Sequence, residues 1–119
     1  MKKSFFKLAK RASQLSDHKK HQIGSVLVRK NRVISIACNK LKTHPKSKHQ
    51  FSSSHAEFRT LLGLTKEETK GCSVYVYREL KNGRLAPSRP CESCMEIIRE
   101  MEVDKIHYTV YDGFVTEKI

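Results

Sequence analysis

Apolar residues recur at helical spacing near the start of the chain. The residues that share this spacing are Phe5, Leu8, Ala9, Ala12 and Leu15. Ser4 precedes them and is a suitable N-cap, because its hydroxyl can accept a hydrogen bond from a free amide of the first turn. We therefore expect an amphipathic helix over residues 5–16, packed on a sheet. The polar residues 17–21 then interrupt the pattern.

Short runs rich in β-branched residues follow. Residues 23–28 and 33–38 flank a polar turn that contains Asn31, a residue that tolerates the left-handed conformation, and they predict a β-hairpin. Residues 72–77 and 105–111 predict a third and a fourth strand. Asp112-Gly113 predicts a two-residue turn after the fourth strand. We expect residues 114–119 to fold back as a fifth strand, since so short a connection has no room for the crossover of a parallel pair.

Helical signals lie between these strands. After a long polar loop over residues 39–54, we expect a helix that begins near His55 and ends at Gly63. Glu67 and Glu68 are expected to lie in a polar link to the third strand, and residues 81–84 to form a turn. Pro90 predicts the start of a further helix, whose apolar side is formed by Met95, Ile97, Ile98 and Met101. The chain is thus predicted to be one α/β domain over residues 1–119, with helices packed on a sheet of four to five strands.

The charge is uneven along the chain. The whole sequence of 119 residues carries a net charge of +12. Residues 1–50 hold 14 Lys and Arg against one acid, Asp17, whereas residues 51–119 hold 10 against 11 acids. This asymmetry favours an anionic partner, either the phosphate of a nucleotide or a nucleic acid strand, although a solubilising surface explains it equally well.

The four cysteines are expected to be reduced. The N-terminus has no continuous apolar segment of the secretory type, and no apolar run reaches the length of a membrane span, so we expect a cytoplasmic protein. Cys91 and Cys94 form a C-x-x-C pair, which in a reducing compartment is metal-binding or redox-active. Cys38 and Cys72 lie within apolar runs, and we expect them to be buried as small hydrophobic residues.

Two short motifs indicate one zinc site. His55-Ala56-Glu57 and Pro90-Cys91-Glu92-Ser93-Cys94 together supply an imidazole and two thiolates, a donor set that leaves the fourth position of a tetrahedral zinc ion open to water. Glu57 lies two residues after the first donor and could exchange a proton with that water. The alternative is a closed structural zinc site with His107 or Cys72 as fourth ligand, which leaves Glu57 without a role.

The spacing H-x-E followed by P-C-x-x-C, together with the predicted order of helices and strands, resembles the cytidine and deoxycytidylate deaminase superfamily. The resemblance implies a three-layer cytidine deaminase-like fold, in which both motif-bearing helices lie on one face of a mixed sheet. It further implies that His55, Cys91 and Cys94 hold Zn²⁺. Glu57 would then shuttle protons while hydroxide attacks the ring carbon that bears the exocyclic amine and ammonia leaves.

The resemblance also implies contacts with the substrate. Asn39 would hydrogen bond the sugar, unless it is an ordinary turn residue. The backbone of Ala56 and the carbonyl of Arg89 would contact the polar edge of the base. We expect a nucleoside or nucleotide substrate, no membrane partner, and an oligomeric state that the sequence leaves open, with a homo-oligomer among the alternatives.

We weigh three functions, of which we expect the first, with the other two as alternatives. The first is hydrolytic deamination of cytidine or dCMP to the uracil compound. The second is editing of a polynucleotide, either tRNA adenosine or single-stranded cytosine, through the basic residues 1–50. The third is a non-catalytic, zinc-stabilised nucleic-acid-binding module. Within the superfamily, a direct hairpin after the fourth strand indicates the free-nucleoside branch. That branch usually has Cys at the position of His55, so His55 indicates instead the branch of polynucleotide editors and deoxycytidylate deaminases.

Overall fold

The described part of the chain contains five strands and four helices. The computed structural model describes residues 3–16, 22–39, 56–61 and 63–119, apart from the side chains of Glu57 and Phe58. The predicted break at residues 17–21 and the predicted loop after Asn39 lie outside the described residues. The elements are α1 (Lys3–Ser13), β1 (Ile23–Arg29), β2 (Arg32–Cys38), α2 (Ala56–Leu61), α3 (Lys66–Thr69), β3 (Ser73–Arg78), α4 (Glu92–Glu100), β4 (Lys105–Val110) and β5 (Gly113–Lys118).

The strands form one mixed sheet in the order β2-β1-β3-β4-β5. β3 and β4 are parallel, and every other neighbouring pair is antiparallel. The parallel pair needs a crossover connection, which contains α4. The predicted mixed sheet and its antiparallel last strand are therefore confirmed.

The sheet separates two apolar cores. On one face, α1 packs against β1 and β3, with a core of Phe5, Phe6, Ala9, Val26, Val28, Tyr75 and Tyr77. On the other face, α2 and α4 pack against the sheet through Leu61, Met95 and Ile98, together with Leu27, Val74, Val76 and Ile106. Since apolar side chains alternate between the two faces along each inner strand, both faces are buried. This arrangement is the predicted three-layer fold.

The first helix differs from its prediction at both ends. It begins at Lys3, so that Ser4 lies inside the first turn and is not the N-cap. It ends at Ser13, three residues earlier than expected, and the Leu15 amide bonds the Ala12 carbonyl in a tighter turn. Leu15 consequently leaves the helical face and is 74% exposed.

Both hairpins form, but one turn is displaced. In β1–β2 the two turn residues are Lys30 and Asn31, both with positive φ, as the right-handed twist of a two-residue hairpin requires. In β4–β5, Gly113 pairs with Val110, so the turn residues are Tyr111 and Asp112. The turn therefore lies one residue earlier than the Asp112-Gly113 pair predicted.

A short helix lies within the predicted polar link after α2. As predicted, α2 ends before Gly63, which has a φ of 82°. The sequence did not predict α3, which starts at a capping box formed by Thr65 and Glu68. In this box the Thr65 hydroxyl accepts from the Glu68 amide, and the Glu68 carboxylate accepts from the Thr65 amide.

Candidate metal and substrate site

The predicted site residues follow strands that end at one edge of the sheet. β1 is antiparallel to both β2 and β3, and β3 is parallel to β4. β2, β3 and β4 therefore run in the same direction, and their carboxyl ends share an edge. Asn39 follows β2 directly, and the segment that leads to Cys91 is bonded to the ends of β3 and β4. In open α/β sheets this is the edge at which ligands bind.

Asn39 is fixed against the first residue of β1. Its side-chain Oδ1 accepts a hydrogen bond from the Ile23 amide at 3.0 Å, and its own amide donates to the Ile23 carbonyl at 3.1 Å. The Ser16 hydroxyl donates to the Asn39 carbonyl at 3.0 Å. Asn39 is buried, so these bonds hold it rigidly at the sheet edge. Its predicted contact with a sugar stays a prediction.

A buried polar cluster anchors the segment before Cys91. Ser88 Oγ donates to the Val76 carbonyl at 3.0 Å and accepts from the Thr109 amide at 2.8 Å. Thr109 Oγ1 lies 2.7 Å from the Ala86 carbonyl and accepts from the Arg78 amide at 3.2 Å. The segment is thereby fixed across the ends of the two parallel strands. The local sequence pattern around Ser88 and Thr109 does not predict this cluster.

Cys91 and Cys94 lie in the first turn of α4. Cys91 is the N-cap, with extended backbone, and its carbonyl accepts the helical hydrogen bond of the Met95 amide at 2.8 Å. Pro90 therefore lies one residue before the cap, and the helix starts later than Pro90 predicted. Positions three apart share one side of a helix. Cys91 is exposed and Cys94 is buried, so the pair faces the boundary between solvent and core.

The described part of the other motif begins at Ala56, which is buried in the first turn of α2. Glu57 follows it in the same turn, and His55 lies outside the described residues. α2 packs beside α4 on the same face, with Leu61 and Met95 in one core cluster. The helices of the two motifs are therefore neighbours, as expected.

The two sulfur donors suit zinc. None of the four cysteines, all of which are described, forms a disulfide. Two cysteines one turn apart at a helix start supply thiolates of the kind that zinc prefers. Among the described residues, which omit His55, no three His, Cys, Asp or Glu side chains form a group that could hold a metal ion. The residues present thus fit two of the three predicted ligands.

His107 is too remote to be a fourth ligand. It pairs with Tyr75 across β3–β4 and stacks on its ring at 4.3 Å, on the face that α1 covers. Its Nδ1 lies 2.8 Å from Thr116 Oγ1. Burial lowers the pKa of His107 to about 4, so the ring is neutral at pH 7. The cysteines of α4 lie on the opposite face of the sheet.

Cys72 is also remote from the pair. It precedes β3 and so lies at the opposite end of this strand from the segment that leads to Cys91, and its Sγ donates to the Glu68 carbonyl at 3.4 Å. Burial raises the pKa of its thiol, as expected for a small core residue. A closed zinc site that uses His107 or Cys72 is therefore excluded by the sheet geometry.

The Arg89 side chain forms an ion pair with Glu117 of β5. Its Nε and an Nη each donate to the Glu117 carboxylate at 3.0 Å, and Tyr108 donates to the same carboxylate at 3.1 Å. The hydrogen bond with Glu117 raises the pKa of Arg89, and the Arg89 guanidinium lowers the pKa of Glu117. The sequence pattern did not indicate this pair, because its members are 28 positions apart.

The fold and the site define a class of protein. A five-stranded mixed sheet lies between α1 and the α2–α4 pair, and a Pro-Cys-x-x-Cys turn stands at its carboxyl edge. This is the three-layer, cytidine deaminase-like fold. The sequence profile of the cytidine and deoxycytidylate deaminase zinc-binding region matches residues 1–110, and the chain belongs to this family. It is accordingly an enzyme of the deaminase type, a hydrolase that acts on carbon–nitrogen bonds.

Solved structures agree with the fold. The dCMP deaminase of cyanophage S-TIM5 in its apo form superposes with a TM-score of 0.66 at 21% identity, over 91% of this chain and 84% of that chain. The same enzyme in complex with dCMP and dUMP gives 0.66 at 20% identity, over 91% and 82%. The cytidine deaminase of Burkholderia pseudomallei gives 0.67 at 16% identity, over 99% and 92%. No curated protein matches the sequence significantly. None of the described helices is long and apolar enough to cross a membrane.

Proposed function

We propose that this protein is a zinc-dependent hydrolytic deaminase that converts the cytosine of a nucleoside or nucleotide, such as dCMP, to uracil and releases ammonia. The observation that carries the proposal is the position of the Cys91–Cys94 turn, beside α2 at the carboxyl edge of the sheet, in a member of the deaminase family. The S-TIM5 enzyme of the same fold was solved with dCMP and dUMP, the cytosine and uracil nucleotides of this reaction.

His55, Cys91 and Cys94 would hold the zinc ion. The two thiolates come from one helical turn, and the imidazole comes from the residue immediately before α2. When bound, zinc lowers the pKa of a coordinated water to about 7 and so makes a nucleophile available at neutral pH. Three protein ligands leave the position for this water open, as a catalytic zinc site requires.

Glu57 would be the proton carrier. In the overall reaction a water oxygen bonds to the ring carbon, the bond from this carbon to the exocyclic nitrogen breaks, and the nitrogen leaves as ammonia. A carboxylate in the first turn of α2 can accept a proton from the attacking water and donate it to the leaving nitrogen. This transfer avoids expulsion of an unprotonated amide ion.

Three further groups would bind the substrate. The Ala56 amide can donate to an acceptor on the base, and the Arg89 carbonyl can accept from its exocyclic amine. The Asn39 side chain, whose Oδ1 already accepts from the Ile23 amide, would contact a sugar hydroxyl. The anchoring of Asn39 and of Ser88, the residue before Arg89, places these groups on rigid backbone, which lowers the entropic cost of binding.

The described cations of α1 give no support to a polynucleotide substrate, whereas the basic residues 40–48 lie outside the described residues. Lys3, Lys7 and Lys10 are exposed along this helix, which carries no acidic residue in its first turn. α1 covers the face of the sheet opposite to α4. These cations therefore do not lead a strand toward Cys91 and Cys94, as the editing of a polynucleotide would require.

Parallel assays of dCMP, cytidine and a short single-stranded oligonucleotide, followed by ammonia release, test the proposal. We expect turnover of dCMP or cytidine, and a fall of roughly 10²- to 10⁴-fold in kcat for Glu57→Gln with zinc content and far-UV circular dichroism unchanged. Glu67→Gln, an equivalent change at an exposed position of α3, is the control and should keep full activity. Activity on the oligonucleotide alone, or an active Glu57→Gln protein, would contradict the proposal.

A further inference from the structure

Glu117 lies on the same face of the sheet as the helix that carries the cysteines. It pairs with Ile106 across β4–β5, and directly opposed residues of antiparallel strands point to the same side. Ile106 and Tyr108 both belong to the core beneath α4. The Glu117 carboxylate is therefore on the flank of α4, although β5 is the last strand of the described chain and carries no residue of either zinc motif.

The Glu117 carboxylate holds Arg89 in a fixed orientation. Two parallel N–H···O bonds of 3.0 Å join the guanidinium to its two oxygens, and the Tyr108 hydroxyl adds a third bond to one of them. Arg89 also approaches the Glu92 carboxylate in the first turn of α4, at 4.0 Å. Bidentate pairs of this kind define direction as well as distance, because both groups are planar.

Arg89 and Pro90 form a two-residue link between two rigid pieces of backbone. Before Arg89, Ser88 is bonded to β3 and β4; after Arg89, Pro90 fixes its own φ and Cys91 begins the cap of α4. The torsions around Arg89 therefore set how the Arg89 carbonyl and the Cys91 sulfur are presented. A side chain clamped at its far end restricts these torsions.

The pair is too exposed to contribute much to folding. The side chains of Arg89 and Glu117 are 41% and 35% exposed, and ion pairs at such positions add little to the free energy of unfolding. A bidentate bond with a third donor is nevertheless a specific arrangement. The main effect of the Arg89–Glu117 pair is therefore to fix the orientation of Arg89.

We propose that Glu117 is a positioning residue, which holds Arg89 so that the Arg89 carbonyl and the Cys91 thiolate face the substrate and the metal. The inference rests on the proposed function, since it assigns these two groups to substrate and zinc. It makes the last strand a part of the active site's support.

The test compares Glu117→Gln, Arg89→Lys and the control Lys10→Gln with the unaltered protein. Glu117→Gln keeps the shape and one acceptor oxygen but loses the charge. Arg89→Lys keeps the charge but loses the planar guanidinium that donates two hydrogen bonds to one carboxylate. Lys10→Gln breaks a partly exposed ion pair to Glu79 on the other face of the sheet. The measurements are the rate of zinc transfer to EDTA, KM and kcat for dCMP with full zinc loading, and the urea midpoint.

We expect Glu117→Gln and Arg89→Lys each to raise the zinc transfer rate and KM by about 3- to 10-fold, a fraction of the roughly 10- to 100-fold loss seen when a direct partner of a metal ligand is removed. The kcat should change by less than about twofold, and the urea midpoint should match that of Lys10→Gln.

Two results would overturn the inference. One is a zinc transfer rate and a KM of Glu117→Gln that equal those of Lys10→Gln. The other is a urea midpoint that falls as the zinc transfer rate and KM rise, which would show that Glu117 stabilises the whole fold. Failure of the proposed function is distinguishable, because it appears in the unaltered protein as absent turnover. In that case zinc transfer to EDTA still reports whether Glu117 positions Cys91.

Discussion

Replacement of Thr109 by Val tests whether buried polar bonds hold the segment that leads to Cys91. Val has nearly the same shape as Thr, so the change creates no cavity and removes only the hydroxyl. Thr109 is fully buried. Its hydroxyl accepts from the Arg78 amide and lies within bonding distance of both the Ala86 carbonyl and Ser88 Oγ.

The expected loss follows from the groups that remain. A hydroxyl has one proton, and the shorter distance of 2.7 Å assigns it to the Ala86 carbonyl. Thr109→Val therefore leaves two backbone groups without this partner, the Arg78 amide and the Ala86 carbonyl. An unsatisfied buried group costs about 1–3 kcal/mol, so for the two groups together we expect the free energy of unfolding to fall by about 2–6 kcal/mol.

Thr60→Val is the matched control. Thr60 is equally buried, but within the described part of the chain its hydroxyl bonds only the Ala56 carbonyl four residues earlier, an oxygen that also accepts a helical hydrogen bond. Its loss should cost less than about 1 kcal/mol. Urea unfolding followed by circular dichroism measures both variants. If Thr109→Val costs no more than Thr60→Val, the hydroxyl does not anchor the segment and the reasoning is wrong.

Two further predictions concern the α1 face of the sheet. Because burial holds the pKa of His107 at about 4, against about 6.5 for an unfolded imidazole, the unfolded state alone takes up this proton as the pH falls through that range. The free energy of unfolding should therefore fall by at most about 3 kcal/mol between pH 7 and pH 4 because of His107. His107→Phe should remove this part of the pH dependence, as measured by urea titrations at a series of pH values. If the two proteins lose stability in parallel as the pH falls, burial of His107 is not the cause. Gly24→Ala would bring a methyl carbon into overlap with the Ala9 carbonyl oxygen and to 2.6 Å from the Ser13 nitrogen. We expect α1 to be displaced at a cost of about 3 kcal/mol, and an unchanged urea midpoint would show that the helix is not seated on Gly24.

Local patterns in the sequence were sufficient to predict most elements. β-branched runs gave the strands, and Asn31 gave the first turn, because side-chain alternation and left-handed residues act within a few positions. The helix after His55 and its end at Gly63 followed from the same local rules. The zinc motifs could be recognised because two thiolates and an imidazole at these spacings suit few other purposes.

The errors also have local causes. The Thr65–Glu68 capping box is visible in the sequence, and the short α3 could have been predicted from it. The C-terminal end of α1 could not, since Leu15 continues the helical spacing but is exposed. The buried part of α1 ends at Ser13, and the loss of burial beyond it outweighs the helical periodicity of the sequence.

The sequence by itself determined the family, the layered fold and the two motifs of the proposed zinc site, because the element periodicities and each single motif depend on residues close together in the chain. Only the tertiary structure decided what supports that site. The order of the strands brings Thr109 beneath Ser88 and Glu117 beside Arg89, and it places His107 on the face away from the cysteines. Partners separated by more than 20 positions are chosen by sheet register, which many strands set together and no short segment encodes.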